Sequence, residues 1–64
     1  MRLLHRGDQL SIERVDGRLT FGTFLRQDEE YVVVRGVIGH DIGHEILVPR
    51  GKIMQIVVVE KAPR

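Results

Sequence analysis

Two segments of alternating apolar and polar residues flank the dipeptide Asp16-Gly17. In the first, Asp8 to Val15, Leu10 and Ile12 share one face, which is the period-two pattern of a half-buried strand. Asp-Gly is favoured in hairpins because both central residues of a type I′ turn need positive φ. Arg18 to Arg26 is then the returning strand. The pattern predicts an antiparallel hairpin closed by a two-residue turn.

Three further strands are predicted downstream of this hairpin. The predicted strands are Tyr31 to Val37, His44 to Val48 and Ile53 to Val59. The connections before them are Gln27 to Glu30, Gly36 to Gly43 and Pro49 to Lys52. Gly22 interrupts the second strand and indicates a bend or a close backbone approach. Residues 1–7 are expected to form a short N-terminal helical turn, residues 8–59 the β-structure and residues 60–64 a polar tail. The chain is therefore predicted to be all-β and one domain, 1–64.

A chain of 64 residues without cysteine has few ways to stabilise itself. Disulfides and thiolate zinc sites are excluded, and chains of this size usually need such links or partner subunits. Tyr31 to Val34 and Met54 to Val59 are apolar on both faces, and such strands must be covered on both. We therefore predict self-association, although the N-terminal turn can cover part of this surface. The candidate interface residues are Val32, Val34, Ile46, Val48, Met54, Ile56 and Val58.

The charge and the apolar runs limit the partners of the chain. Ten Lys plus Arg against nine Asp plus Glu give a net charge of +1. Domains that hold nucleic acid mainly by electrostatics are usually more basic, so any RNA contact must be local or repeated around an oligomer. No apolar run approaches the roughly 20 residues of a membrane span, and Met1 to Gly7 lacks the apolar core of a signal peptide. We expect a soluble, cytoplasmic protein without a membrane partner.

Two motifs resemble those of one known family. Val15-Asp16-Gly17-Arg18, followed by Gly22 and Asp28, is similar to the first motif of the Sm-like family. Ile46-Leu47-Val48-Pro49-Arg50-Gly51 resembles the second. The family includes the Sm and Sm-like (LSm) proteins of archaea and eukaryotes and bacterial Hfq, and the resemblance covers almost the whole chain. It implies a small, strongly bent five-stranded antiparallel barrel, of the SH3-like kind, with a short N-terminal helical turn.

The resemblance also implies an assembly and a ligand. Such proteins form rings of six or seven, in which the fourth strand of one subunit pairs with the fifth strand of its neighbour. They bind uridine-rich single-stranded RNA at the inner rim. Here Glu30 stands where Sm proteins carry a stacking residue, and Val32 stands where they carry the uracil-reading asparagine. Valine cannot read a base edge, and Glu30 repels phosphate.

The segment Asp28 to Val34 resembles the Hfq pattern about as well as the Sm pattern, because Tyr31 falls near the rim aromatic of Hfq. Its Tyr-Lys-His second motif is replaced here by Pro49-Arg50-Gly51. The chain thus combines the two patterns, and its base preference stays open. The candidate RNA-binding residues are Arg50, Gly51, Lys52, Tyr31, Glu30 and Val32.

Each candidate side chain has two interpretations. Arg50 either pairs with phosphate or stacks on a base, or it bonds neighbouring carbonyl groups across the ring. Lys52 either attracts phosphate or is simply solvated. Tyr31 either stacks a base or packs in the core or an interface. Arg2, His5 and Arg6 form either a positive collar on one face of the ring or a solvated terminus.

The sequence contains few candidates for catalytic or metal-binding residues. His40 and His44 have the i, i+4 spacing of a helical zinc pair, but the glycines around them predict a loop. Ser11 has no histidine nearby in the sequence, and the paired carboxylates Glu29-Glu30 lie in an exposed turn rather than in a cleft. We predict no metal, no cofactor, no small-molecule substrate and no enzymatic activity.

Three functions are compatible with these observations. The leading prediction is a homo-oligomeric ring that binds single-stranded RNA as a chaperone or scaffold in RNA metabolism, with several weak sites acting together. The alternative is a ring-forming structural or protein-interaction module that has lost its nucleotide site. The third is a monomeric barrel within a larger complex.

Overall fold

Five antiparallel strands in one sheet form the protein in the computed structural model, which describes residues 3–63. The strands are β1 (Gln9–Arg14), β2 (Leu19–Gln27), β3 (Tyr31–Gly36), β4 (Glu45–Pro49) and β5 (Ile53–Glu60). Two 3-10 turns, Gly39–Asp41 and Arg50–Lys52, precede β4 and β5. The predicted all-β, five-stranded fold is confirmed. No helix within residues 3–63 is long and apolar enough to cross a membrane.

The strands follow the order β4-β3-β2-β1-β5 across the sheet. The first four strands pair with their neighbours in the chain, and β5 returns to pair with β1. No backbone ladder joins β4 to β5 in the described part of the chain, so hydrogen bonds do not close the sheet into a barrel. The sheet therefore has two edges, one formed by β4 and the other by β5.

The β1–β2 hairpin closes through three residues rather than two. The amide of Arg14 donates to the carbonyl of Arg18 at 2.8 Å, and the amide of Gly17 donates to the carbonyl of Arg14 at 2.9 Å. Gly17 has φ 87°, whereas Asp16 keeps negative φ. A type I turn followed by one left-handed residue has this pattern. The hairpin prediction is confirmed, and the predicted type I′ turn is wrong because only Gly17 adopts the left-handed conformation.

One cluster of apolar side chains forms the core. Its fully packed members are Leu10, Ile12, Phe24, Val32, Val34 and Val48, and Leu4, Ile46, Ile53, Ile56 and Val58 pack against it while partly exposed. The strand registers explain this set, because Leu10 pairs with Val58 and Ile12 pairs with Ile56. A register shift in β2 between Phe24 and Arg26 allows the successive residues Phe24 and Leu25 both to be buried.

Gly22 and Gly36 lie opposite each other in β2 and β3, where the backbone passes close to other atoms. A Cβ added to Gly22 would lie 2.7 Å from Val34 Cγ2, and one added to Gly36 would lie 2.1 Å from the carbonyl oxygen of Asp41. The close approach predicted at Gly22 is confirmed. The irregularity of β2 lies a little farther along, between Phe24 and Arg26.

The N-terminal segment is not helical over the residues that the structure describes. Residues 3–5 have no regular structure, and residues 6–7 form a turn. The predicted helical turn over 1–7 is therefore wrong for residues 3–7, whereas Met1 and Arg2 lie outside the described residues. The segment's donors are used elsewhere, because the amide of His5 donates to the Asp8 carboxylate and that of Gly7 to the carbonyl of Phe24. Leu4 packs on the core, but Leu3 is exposed.

The C-terminal tail, Lys61 to Pro63, has no regular structure but is attached to the start of the sheet. The amide of Ala62 donates to Asp8 Oδ1 at 2.7 Å, and the amide of His5 donates to Asp8 Oδ2 at 3.0 Å. Asp8 itself is only 3% exposed. One buried carboxylate thus binds both ends of the described chain. Arg64 is not among the described residues.

Candidate nucleic-acid interface

Two turns meet at one end of the sheet because β3 and β4 pair with Tyr31 opposite Pro49. The first is the β2–β3 turn and the second is the β4–β5 turn. The amide of Arg50 donates to the carbonyl of Glu30 at 2.8 Å, and the guanidinium of Arg50 donates to Gln27 Oε1. We call residues 27–31 and 50–52 the rim. It brings together five of the six predicted RNA-binding residues: Glu30, Tyr31, Arg50, Gly51 and Lys52.

Asp28 holds the first turn of the rim in shape. Its Oδ1 accepts hydrogen bonds from the amides of Glu30 and Tyr31, both at 2.8 Å. The amide of Asp28 donates in turn to the carbonyl of Tyr31 at 3.0 Å. The hydrogen bonds from Tyr31 and Glu30 lower the pKa of Asp28, and the nearby guanidinium groups of Arg26 and Arg50 lower it further. The ionised carboxylate is therefore the form that fits this turn.

Protonation of Asp28 is expected to loosen the rim only in acid. Because its folded-state pKa lies below the unfolded value, its contribution to stability is present above the unfolded pKa and is lost as the pH falls through the folded pKa. Carboxyl resonances followed by NMR should give Asp28 a pKa below the ordinary aspartate value. The stability difference between wild type and Asp28→Asn should shrink over the same acidic range. An Asp28 that titrates at or above the ordinary aspartate pKa would contradict this assignment.

The rim carries charges of both signs. The rim contains three consecutive acidic residues, Asp28 to Glu30, as well as the cations of Arg50 and Lys52. The nearby Arg26 adds little free positive charge, because its guanidinium lies 3.0 Å from a carboxylate oxygen of Glu45. A phosphate backbone would thus meet attraction and repulsion side by side. Any binding to one protomer is expected to be weak.

Val32, the remaining predicted RNA-binding residue, does not reach the rim surface. Its side chain is fully buried in the core, and Val32 pairs with Val48 of β4. Tyr31 is half-buried at the start of β3, which fits its interpretation as a packing residue and leaves part of the ring accessible. Glu30, Arg50, Gly51 and Lys52 are exposed.

The candidate interface residues divide into three groups. Val32, Val34 and Val48 are buried in the protomer's own core, and their side chains leave no surface for a neighbour. Ile46, Ile56 and Val58 are half-buried and pack against that core. Of the whole set, Met54 alone is largely exposed. Val33 is buried as well, so β3 is covered on both faces by the chain itself, contrary to the argument that it needs a partner.

A different apolar set is exposed on the two edge strands. Leu47 on β4 is 50% exposed, and on β5 Met54, Val57 and Val59 are 62%, 42% and 66% exposed. Strand alternation could have identified Val57 and Val59, because the pairing of Val58 with the buried Leu10 turns its neighbours outward. These four residues are the exposed apolar side chains of the two edge strands. Other exposed apolar residues lie outside them: Leu3, Val15, Leu19, Val37, Ile38 and Ile42.

The histidine-containing loop lacks the helix that the i, i+4 spacing of a zinc pair requires. His40 and Asp41 lie in a three-residue 3-10 turn rather than on a helix, and His40, His44 and Glu45 are exposed. Among residues 3–63, no group of three or more His, Asp or Glu side chains is placed to hold a metal ion. His5 and Arg6 are exposed as well, and Arg2 falls outside the described residues.

Comparisons with known proteins add no relative to this description. No protein-family model matches the chain, and neither curated proteins nor solved structures gave a match.

Proposed function

We propose that the protein is an Sm-like subunit, a bent open barrel that assembles into a homo-oligomeric ring and binds single-stranded RNA at its rim. The motifs around Asp16-Gly17 and Arg50-Gly51 support the family, and the observation that carries the proposal is the pair of unlike edges, β4 and β5. On this proposal the protein acts as a chaperone or scaffold in RNA metabolism, in the cytoplasm and without catalysis.

The two edges favour a head-to-tail assembly. Each edge strand presents unpaired N–H and C=O groups to another chain. One edge belongs to β4 and the other to β5, so pairing β4 of one copy with β5 of the next uses two different surfaces. Such heterologous contacts produce a ring when the rotation between copies closes. Leu47 on one edge and Val57 and Val59 on the other supply apolar side chains for the contact.

The RNA-binding part of the proposal relies on repetition. Each subunit would offer Arg50, Lys52 and the accessible part of Tyr31, opposed by the acidic residues of the same rim. Linked weak sites bind far more tightly together than singly. Two observations favour a second candidate, a ring that serves as a structural or protein-interaction module without nucleotide binding. Val32 is buried, and the exposed rim carries three acidic residues that repel phosphate.

Substitution on β5 is expected to break the ring. Val57→Lys places a charge on the exposed face of an edge strand. The control Leu19→Lys changes a residue on the interior strand β2 that is 55% exposed, compared with 42% for Val57. Light scattering should give wild type and Leu19→Lys a mass several times the 7.3 kDa of one chain. Val57→Lys should shift to the mass of a monomer at micromolar concentration. A monomeric wild-type protein would refute the ring.

Removal of the rim guanidinium is expected to weaken RNA binding. Arg50→Ala removes the same charge in every subunit, so we expect a loss of about tenfold or more in affinity through the linked sites. Fluorescence anisotropy with labelled oligo(U), oligo(A) and a mixed sequence measures it, with the exposed Arg18→Ala as the charge-matched control. Negligible binding of all three RNAs by wild type at low salt would exclude RNA and leave the structural ring.

A further inference from the structure

A depression that shares Lys52 with the rim lies between the β1–β2 hairpin and the β4–β5 turn. It has a volume of ≈ 310 Å³ and is lined by Arg14, Val15, Asp16, Pro49 and Lys52. The amide of Val15 donates to the carbonyl of Lys52 at 2.9 Å, which fixes the two walls to each other. Its volume is at the lower end of ligand pockets, about 300 Å³. It is separate from the predicted Arg50 contact, because Arg50 turns its guanidinium toward Gln27.

The two cations of the depression have no acidic partner among residues 3–63. Arg14 donates from Nε to Thr20 Oγ1 at 3.2 Å, which orients the guanidinium and leaves its terminal nitrogens without an acceptor. Lys52 makes no ion pair in the same range. The one lining carboxylate, Asp16, already accepts from the amide of Arg18 at 2.9 Å and lies 3.7 Å from Arg18 Nε. The depression is therefore net positive.

The pairing of β1 with β5 brings Arg14 and Lys52 to the same depression. Arg14 lies opposite Ile53, the residue that follows Lys52. Adjacent like charges are destabilising, and an anion bound between them reverses the sign of that interaction. Arginine offers a planar fork that matches a phosphate, and lysine adds a point charge. Val15 and Pro49 provide apolar surface on which the carbons of a sugar can pack.

We propose that this depression is a phosphate-binding subsite for nucleotides. Arg14 and Lys52 hold the phosphate, and Val15 and Pro49 contact the ribose. The phosphate belongs either to a free mononucleotide or to the backbone of a strand, and the recognising chemistry is the same. The subsite is complete within one protomer, so the inference requires neither the ring nor RNA binding at Arg50.

Titrations followed by NMR at constant ionic strength test the proposal. The probes are inorganic phosphate, uridine 5′-monophosphate, the phosphodiester UpU and uncharged uridine. We expect saturable shifts at the amides of Val15 and Lys52 and at Arg14 Nε with the phosphate-containing probes, and none with uridine. Stronger binding of the monophosphate identifies a free or terminal nucleotide as the source, whereas stronger binding of UpU identifies a strand.

Variants separate the subsite from general electrostatics. Arg14→Gln and Lys52→Gln should each weaken binding of the monophosphate about tenfold, as expected for one charge-assisted contact. Arg35→Gln removes an exposed cation elsewhere and should leave the affinity unchanged. If Arg14→Gln fails to fold, Lys52→Gln decides the question, because Lys52 is exposed. The absence of saturable shifts, equal shifts with uridine, or an equal loss in Arg35→Gln would overturn the proposal.

Discussion

Replacement of Gly36 by alanine is expected to destabilise the protein by about 3 kcal/mol or more, at or above the upper end of the range for overpacking. The added Cβ would lie 2.1 Å from the carbonyl oxygen and 2.7 Å from the carbonyl carbon of Asp41. These are backbone atoms, so no side-chain rotation relieves the clash. The loop is also bonded to Gly36 itself, through His44 and Gly43 at 2.9 and 3.0 Å. Relief of the clash would break these bonds.

Urea unfolding at one fixed protein concentration measures this loss, because the proposed assembly would make stability depend on concentration. Gly51→Ala is the matched control. A Cβ at Gly51 meets nothing within 4 Å, and its φ is not positive. We expect that variant to stay within about 0.5 kcal/mol of wild type. A Gly36→Ala protein as stable as Gly51→Ala would show that the β3–β4 loop is not packed against the strand.

Replacement of Asp8 by alanine is expected to cost about 2–4 kcal/mol. The substitution removes the acceptors of the amides of His5 and Ala62, and each donor left without a partner costs about 1–3 kcal/mol. Asp8 is nearly fully buried, so water reaches these donors only if the segments move. The loss should therefore have a local component. Both ends of the described chain detach from the sheet before the core unfolds.

Hydrogen exchange shows this local component directly. The amides of His5 and Ala62 should lose protection in Asp8→Ala, while those of the core strands keep theirs under mild conditions. Asp16→Ala is the control, because its carboxylate also accepts a backbone amide, that of Arg18, but on the surface. Its stability should fall by no more than about 1 kcal/mol. Equal losses in the two variants, or unchanged protection at Ala62, would contradict the role of Asp8.

The hairpin and the core strands were predictable because they depend on local pattern. Asp16-Gly17 marks the hairpin in the sequence, and Leu10 and Ile12 mark the buried face of β1. The turn type was not predictable from the dipeptide, since it depends on which residue takes positive φ. The prediction of an N-terminal helical turn was wrong because it also considered local sequence alone. Short helices are marginal in water, and here the Asp8 carboxylate competes for the backbone donors.

The candidate site was predictable only in part. Arg50 and Glu30 belong to turns that the sequence marks clearly, and the pairing of β3 with β4 brings these turns together. Burial was harder to predict, because Val32, Val33 and Val34 are alike in sequence and their cover comes from the rest of the chain. The depression was missed because Arg14 and Lys52 are far apart in the sequence and are brought together by the β1–β5 register and the hydrogen bond between Val15 and Lys52.

The position of β5 beside β1 also has a consequence for the order of folding. Strands β1 to β4 form a meander whose contacts are local, whereas the β1–β5 ladder joins the two ends of the chain. Non-local pairing is slow because loop-closure entropy is lost before its contacts form. On the ribosome β5 emerges after β1 to β4, so until then Leu10 and Ile12 lack their partners Val58 and Ile56. During that interval, the β5 of another molecule is a competing partner for β1, and swapped oligomers are the characteristic misfolding risk of this strand order.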